Sequence, residues 1–65
     1  MNTYYVRRTV LPLLMSVELI TKMSTPRKQD ALKSAANSAI LNPGYRYYVY
    51  ENNEQIASFY VKKED

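Results

Sequence analysis

The chain has 65 residues and contains no cysteine, no histidine, no tryptophan and only one glycine, Gly44. Each absence removes a class of chemistry. Without cysteine there is neither a disulfide framework nor a thiol nucleophile, and without histidine the commonest general base is gone. With both missing, the usual nitrogen and sulfur ligands of a structural metal are missing too. A single glycine cannot supply a phosphate-cradling loop. Six carboxylates remain, Glu18, Asp30, Glu51, Glu54, Glu64 and Asp65. Glu51 and Glu54 flank a polar turn, where nothing shelters an acid for catalysis. A non-enzyme with no cofactor and no metal is expected.

Long apolar runs are also scarce. The longest, VLPLLMSVELI from Val10 to Ile20, is interrupted by Pro12, Ser16 and Glu18, and it falls well short of the roughly 20 residues that span a bilayer. No membrane partner is expected. The N-terminal MNTYYVRR places polar and aromatic residues before its charges, the reverse of a signal peptide. Together with the lack of cysteine this predicts a cytoplasmic protein.

A domain this short buries only about 60% of the surface its unfolded chain exposes. Domains of this size usually add disulfides, a metal or a partner subunit; tight packing or self-association is what this composition leaves. The single domain is expected to cover residues 1–65, with 62–65 fraying. The net charge of +3 is unevenly spread: residues 1–50 hold seven Lys/Arg against two acids, whereas residues 51–65 hold two Lys against four acids. A basic body favours an anionic partner, either an acidic protein surface or nucleic acid.

The clearest element is a helix after STPRKQDALKSAANSAILNPG begins. Thr25 is the expected N-cap and Pro26 the first helical residue, and Asn42-Pro43-Gly44 ends the run. Leu32, Ala35, Ala36, Ala39 and Ile40 form a stripe at spacings of three and four, small enough to lie close on a sheet. Two β-rich runs follow, YRYYVYE and EQIASFYV, around the turn-forming Asn52-Asn53. A two-residue loop puts Tyr48 and Tyr50 on one face with Ala57, Phe59 and Val61. A three-residue loop instead joins Tyr45, Tyr47 and Val49 to those three and leaves Arg46, Tyr48, Tyr50, Ile56, Tyr60 and Lys62 outside.

In the N-terminal third, Tyr4, Val6, Arg8 and Val10 alternate with Tyr5, Arg7 and Thr9, which reads as a strand ended by Pro12. The next run fits a second strand with Leu13, Met15, Val17 and Leu19 on one face. It also fits a helix carrying Val10, Leu13, Leu14, Val17 and Ile20. The strand is preferred, because a hairpin gives the following helix a sheet to cover. The predicted fold is α+β, a small single-layer antiparallel sheet, ββαββ, with one helix packed on one face.

Candidate binding residues come from two features. Arg27 and Lys28 stand at the helix start, where the dipole prefers acids, a mismatch of a few tenths of a kcal/mol when exposed. Seven tyrosines are more than one small core needs, and Tyr and Arg are the residues most enriched at energetic hot spots. The candidate partner-binding residues are therefore Tyr45, Arg46, Tyr48, Tyr50 and Tyr60 as anchors, with Arg7, Arg8, Arg27 and Lys28 steering. Tyr with interleaved Arg also suits base stacking, although no RNP-type, KH or helix-turn-helix pattern appears. If YRYYVYE or NTYYVRR lies at a sheet edge, strand addition to a partner or a homodimer through that edge becomes possible.

In layout the chain resembles small phage-encoded proteins that inhibit host enzymes, such as host RNA polymerase or toxin nucleases. That resemblance implies an inhibitor or modulator that occupies the surface of a larger, acidic host protein. A nucleic-acid-binding protein and a self-assembling subunit are the alternatives.

Overall fold

The computed structural model describes residues 2–13 and 16–64, with side chains for all of these except 10–13 and 16–20. Its elements run β1 (Tyr4–Leu13), β2 (Ser16–Thr25), α1 (Lys28–Leu41), β3 (Arg46–Glu51) and β4 (Glu54–Tyr60). The four strands form one antiparallel sheet in the order β2-β1-β3-β4, and α1 covers one face. The predicted ββαββ arrangement is the one observed, and of the run after Pro12 the described part, Leu13 and Ser16–Thr25, is strand, not helix. The expected face of Leu13, Met15, Val17 and Leu19 falls on side chains outside the described ones.

Pro12 does not end β1. The strand continues through it to Leu13, but the β1–β2 register slips between Val10 and Leu13. A proline lacks the N–H that a regular ladder needs, so an irregularity there is its expected cost. A second slip, between Val6 and Arg7, leaves Lys22 as the extra residue of β2.

NTYYVRR and YRYYVYE are not edges. β1 and β3 pair with each other at the centre, Tyr5 opposite Tyr50, Val6 opposite Val49 and Arg7 opposite Tyr48. The edges are β2 and β4, and each carries a bulge, a feature that discourages edge-to-edge pairing.

The turn between β3 and β4 combines both expected registers. Asn52-Asn53 is a two-residue connection between the paired Glu51 and Glu54, with Asn52 at φ 56°, a left-handed conformation that asparagine tolerates. Beyond it the register slips between Val49 and Tyr50. That slip restores the face assignment of the longer loop, with Tyr47 opposite Phe59 and Val49 opposite Ala57. Ile56 is the extra residue, and it packs on the core beside Ala57.

The core consists of Val6, Tyr47 and Val49 from the sheet with Ala31, Ala35 and Ala39 from α1, all at or near zero exposure. The alanines recur every four residues, on one side of the helix, and with no side chain beyond Cβ they let α1 approach the sheet closely. The buried stripe is thus displaced from the predicted one: Leu32 is partly buried, and Ile40 is 64% exposed. The helix start is displaced as well. Arg27 occupies the N-cap without a side-chain cap, while Thr25 ends β2 and its Oγ accepts a hydrogen bond from the Arg27 backbone N–H at 3.2 Å. Pro26 therefore lies before the helix. At the other end Asn42 caps: its backbone N–H and its Nδ2 both donate to the Ser38 carbonyl, at 2.9 and 3.2 Å. Gly44 then turns the chain at φ +97° and donates to the Val61 carbonyl at 2.9 Å.

Candidate interaction face

Strand side chains alternate between faces, so the register sorts the aromatic and basic residues without ambiguity. On the helix side stand Tyr4, Val6 and Arg8 of β1 and Tyr47, Val49 and Glu51 of β3. On the uncovered side stand Tyr5, Arg7 and Thr9 of β1, Arg46, Tyr48 and Tyr50 of β3, and Gln55, Ser58 and Tyr60 of β4. The pairs Tyr5/Tyr50 and Arg7/Tyr48 lie side by side in the middle of the sheet, where cross-strand side chains are within contact distance.

The guanidinium groups lie on the rings. Arg7 Cζ is 4.9 Å from the Tyr50 ring centre and 5.8 Å from that of Tyr5, so one cation serves two rings on adjacent strands. Arg46 Cζ is 4.9 Å from the Tyr60 ring across the β3–β4 pair. The Tyr48 and Tyr50 rings are 6.4 Å apart and tilted by 47°, within the range of favourable aromatic pairs. Thr9 fixes Arg46 from the neighbouring strand: its Oγ accepts from the Arg46 backbone N–H at 3.2 Å and donates to the Arg46 carbonyl at 3.4 Å. Tyr5, Arg7, Tyr48 and Tyr50 are half-buried by one another, and Arg46 and Tyr60 are exposed.

No described carboxylate stands on this face. Glu51 points to the helix side, where its Oε2 accepts hydrogen bonds from Asn2 Nδ2 at 2.6 Å and Tyr4 Oη at 3.2 Å. Glu54 is opposite it in register, Asp30 lies in the first turn of α1, and Glu64 is in the C-terminal tail. The uncovered face is therefore cationic and aromatic, with hydroxyl and amide groups around it.

Five of the nine candidate residues come together here: Arg7, Arg46, Tyr48, Tyr50 and Tyr60. Arg8 and Tyr45 belong to the helix side, where they pair with each other, Arg8 Cζ 4.8 Å from the Tyr45 ring, and Tyr45 packs against the core. Arg27 and Lys28 are exposed at the start of α1, after the end of β2 that pairs with the beginning of β1. Tyr5 joins the face although it was not among the candidates. Its signal was the alternation in TYYVRRT, which already groups Tyr5 with Arg7.

Among the described residues no helix is long and apolar enough to cross a membrane. No protein-family model, curated protein or solved structure matches the chain.

Proposed function

We propose that the protein is a non-enzymatic interaction module that docks its uncovered sheet face against an acidic surface of a larger protein and acts by occupying it. This is how a small inhibitor or modulator works, of the kind phages direct at host enzymes, and the cytoplasm is the compartment that suits a cysteine-free chain. The observation that carries the reading is the Arg7 guanidinium held between Tyr5 and Tyr50 on a face without a described acid. Rigid aromatic anchors with a cation beside them are the composition of energetic hot spots, and a carboxylate on the partner is the group they lack.

The same contacts argue against base stacking as the main activity. Guanidinium groups already lie over Tyr5, Tyr50 and Tyr60, so three of the four rings on this face have one side occupied. Among the described residues assigned to this face on β1, β3 and β4, Arg7 and Arg46 are the cations available for phosphates, and two phosphate contacts on a single strand mean a slope of roughly −1.4 in log affinity against log salt.

The test is affinity capture from bacterial lysate after nuclease treatment, with wild-type protein and an Arg46→Ala/Tyr48→Ala variant in parallel. A protein retained by the wild type and lost with the variant supports the reading. Equal retention by both sinks the site, and disappearance of all bound material on nuclease treatment shifts the activity to nucleic acid.

A further inference from the structure

The register gives the uncovered face a shape as well as a composition. Its tall side chains stand mainly on the two central strands, and the residues that flank Tyr5, Arg7 and Tyr48 in register, Ser24 and Thr21 of β2 and Ser58 of β4, are small. The result is a raised strip running along β1 and β3.

The two guanidinium groups mark the ends of this strip. Arg7 Cζ lies over the Tyr50 and Tyr5 rings, and Arg46 Cζ over the ring of Tyr60, the residue opposite Arg46 in register. From Arg46 toward Tyr50 the strand rises by three to four residues between the two cations, which sets them about 10–13 Å apart along the strip. Midway stands Tyr48, half-buried and tilted against Tyr50, while the guanidinium groups lie over the other three rings. Arg7 Nε is buried with no hydrogen-bond partner among the described residues, which leaves the Nη end of its fork to meet a carboxylate. The strip therefore suits an acid, an apolar group and a second acid, in that order.

The form of the occupant follows from its backbone. An extended segment laid flat on this face would press unpaired N–H and C=O groups onto aromatic rings, at a cost it cannot recover there. Strand addition belongs to sheet edges, and here those are bulged. A helix satisfies its own backbone, and at about 10–12 Å across it matches a strip built on two central strands. The opposite face of the same sheet is already covered by one helix, α1.

Building on the acidic-partner reading above, we infer that the partner presents one amphipathic helix along β1 and β3, with two carboxylates seven residues apart and apolar side chains between them. Seven residues rise about 10.5 Å and return to the same side of a helix. One acid then meets Arg7, the other meets Arg46, and the residues three and four positions along cover Tyr48.

The probes are three stapled helical peptides of identical composition and charge, each with two Glu on one side, four, seven or eleven residues apart, and leucines between. Fluorescence anisotropy with the wild-type chain reads their affinities. The spacing of seven is expected to bind at least tenfold tighter than the other two, and Glu→Gln at either end of that peptide to weaken it roughly tenfold. Arg46→Gln, a change at an exposed residue, should remove the effect of one of the two Glu→Gln changes and leave the other. Equal binding of all three peptides, a preference for four or eleven, or binding of none would each overturn the helix. If the helix fails while nuclease-treated lysate still yields a protein that the Arg46→Ala/Tyr48→Ala variant loses, the acidic-surface reading survives without it; loss of both results brings down the two together.

Discussion

Among the described residues Tyr47 is the largest side chain wholly removed from solvent, and its hydroxyl has no hydrogen-bond partner there. Its ring contributes apolar burial to a core otherwise made of valines and alanines. Its oxygen contributes a penalty. A buried hydroxyl without a partner costs about 1–3 kcal/mol in proteins, so Tyr47→Phe, which keeps the ring and removes the oxygen, is expected to stabilise the fold by about 1–2 kcal/mol. For a domain of this size each kcal/mol moves the melting temperature by roughly 4–8 °C. Urea denaturation followed by circular dichroism is the assay. The midpoint should rise at constant m, since the surface exposed on unfolding hardly changes. Tyr47→Leu, which also removes the oxygen but loses the ring, separates the two contributions and should fall below Tyr47→Phe. A loss of more than about 0.5 kcal/mol in Tyr47→Phe would refute the reasoning, because it would mean that the hydroxyl makes a favourable hydrogen bond in the native state.

Two further substitutions probe the helix face and the turn. Ala35→Leu inserts three carbons at the middle of the Ala31/Ala35/Ala39 row, where exposure is zero, and is expected to cost about 1–3 kcal/mol by overpacking. Ala36→Leu, one position round the helix and only partly buried, should cost clearly less in the same denaturation assay; the reverse order would contradict the observed helix orientation. Gly44→Ala places a Cβ on a residue at φ +97°, 3.4 Å from Lys63 Cβ. The left-handed backbone dominates the expected cost of about 1–2 kcal/mol, since the Lys63 side chain lies in an exposed tail and has room to shift. Thermal unfolding measures it, and an unchanged melting temperature would show that the turn relaxes freely.

Element order was legible because the signals were local. Asn42-Pro43-Gly44 and Asn52-Asn53 are punctuation that any tertiary context respects, and the β-branched and aromatic alternation in TYYVRRTV is a strand period. Faces were less legible, because they depend on one-residue choices made elsewhere in the fold. The bulge at Ile56 exchanges the faces of a hairpin whose turn is short, and no single residue in IASFY announces it. The helix stripe slipped by one position for a related reason. With alanines at 31, 35, 36 and 39, two adjacent stripes are nearly equal, and contact with Val6, Tyr47 and Val49 decides between them. Strand order is the most global property of all. Placing both Tyr-Arg stretches at the centre of the sheet required β1 and β3 to meet across the whole helix connection, and from composition alone either stretch served equally well as an edge.

The division of the seven tyrosines between two faces bears on stability and binding together. Tyr47 fills the core and Tyr4 and Tyr45 pack at its margin, whereas Tyr5, Tyr48, Tyr50 and Tyr60 stand on the face the helix leaves open. Three cation–π contacts cross that open face, each worth about 0.5–1 kcal/mol at an exposed site, which is a sizeable addition for a domain whose core is mostly alanine and valine. The contacts that stabilise the face also order its side chains in the free chain. An immobilised rotamer-rich side chain otherwise costs about 0.5–1.5 kcal/mol on association, and Arg7, braced between two rings, has already lost much of that freedom on folding. Under the proposed docking role, the same side chains would contribute to fold energy and to a rigid binding surface, so the aromatic and basic residues in excess of the core's needs would serve both ends at once.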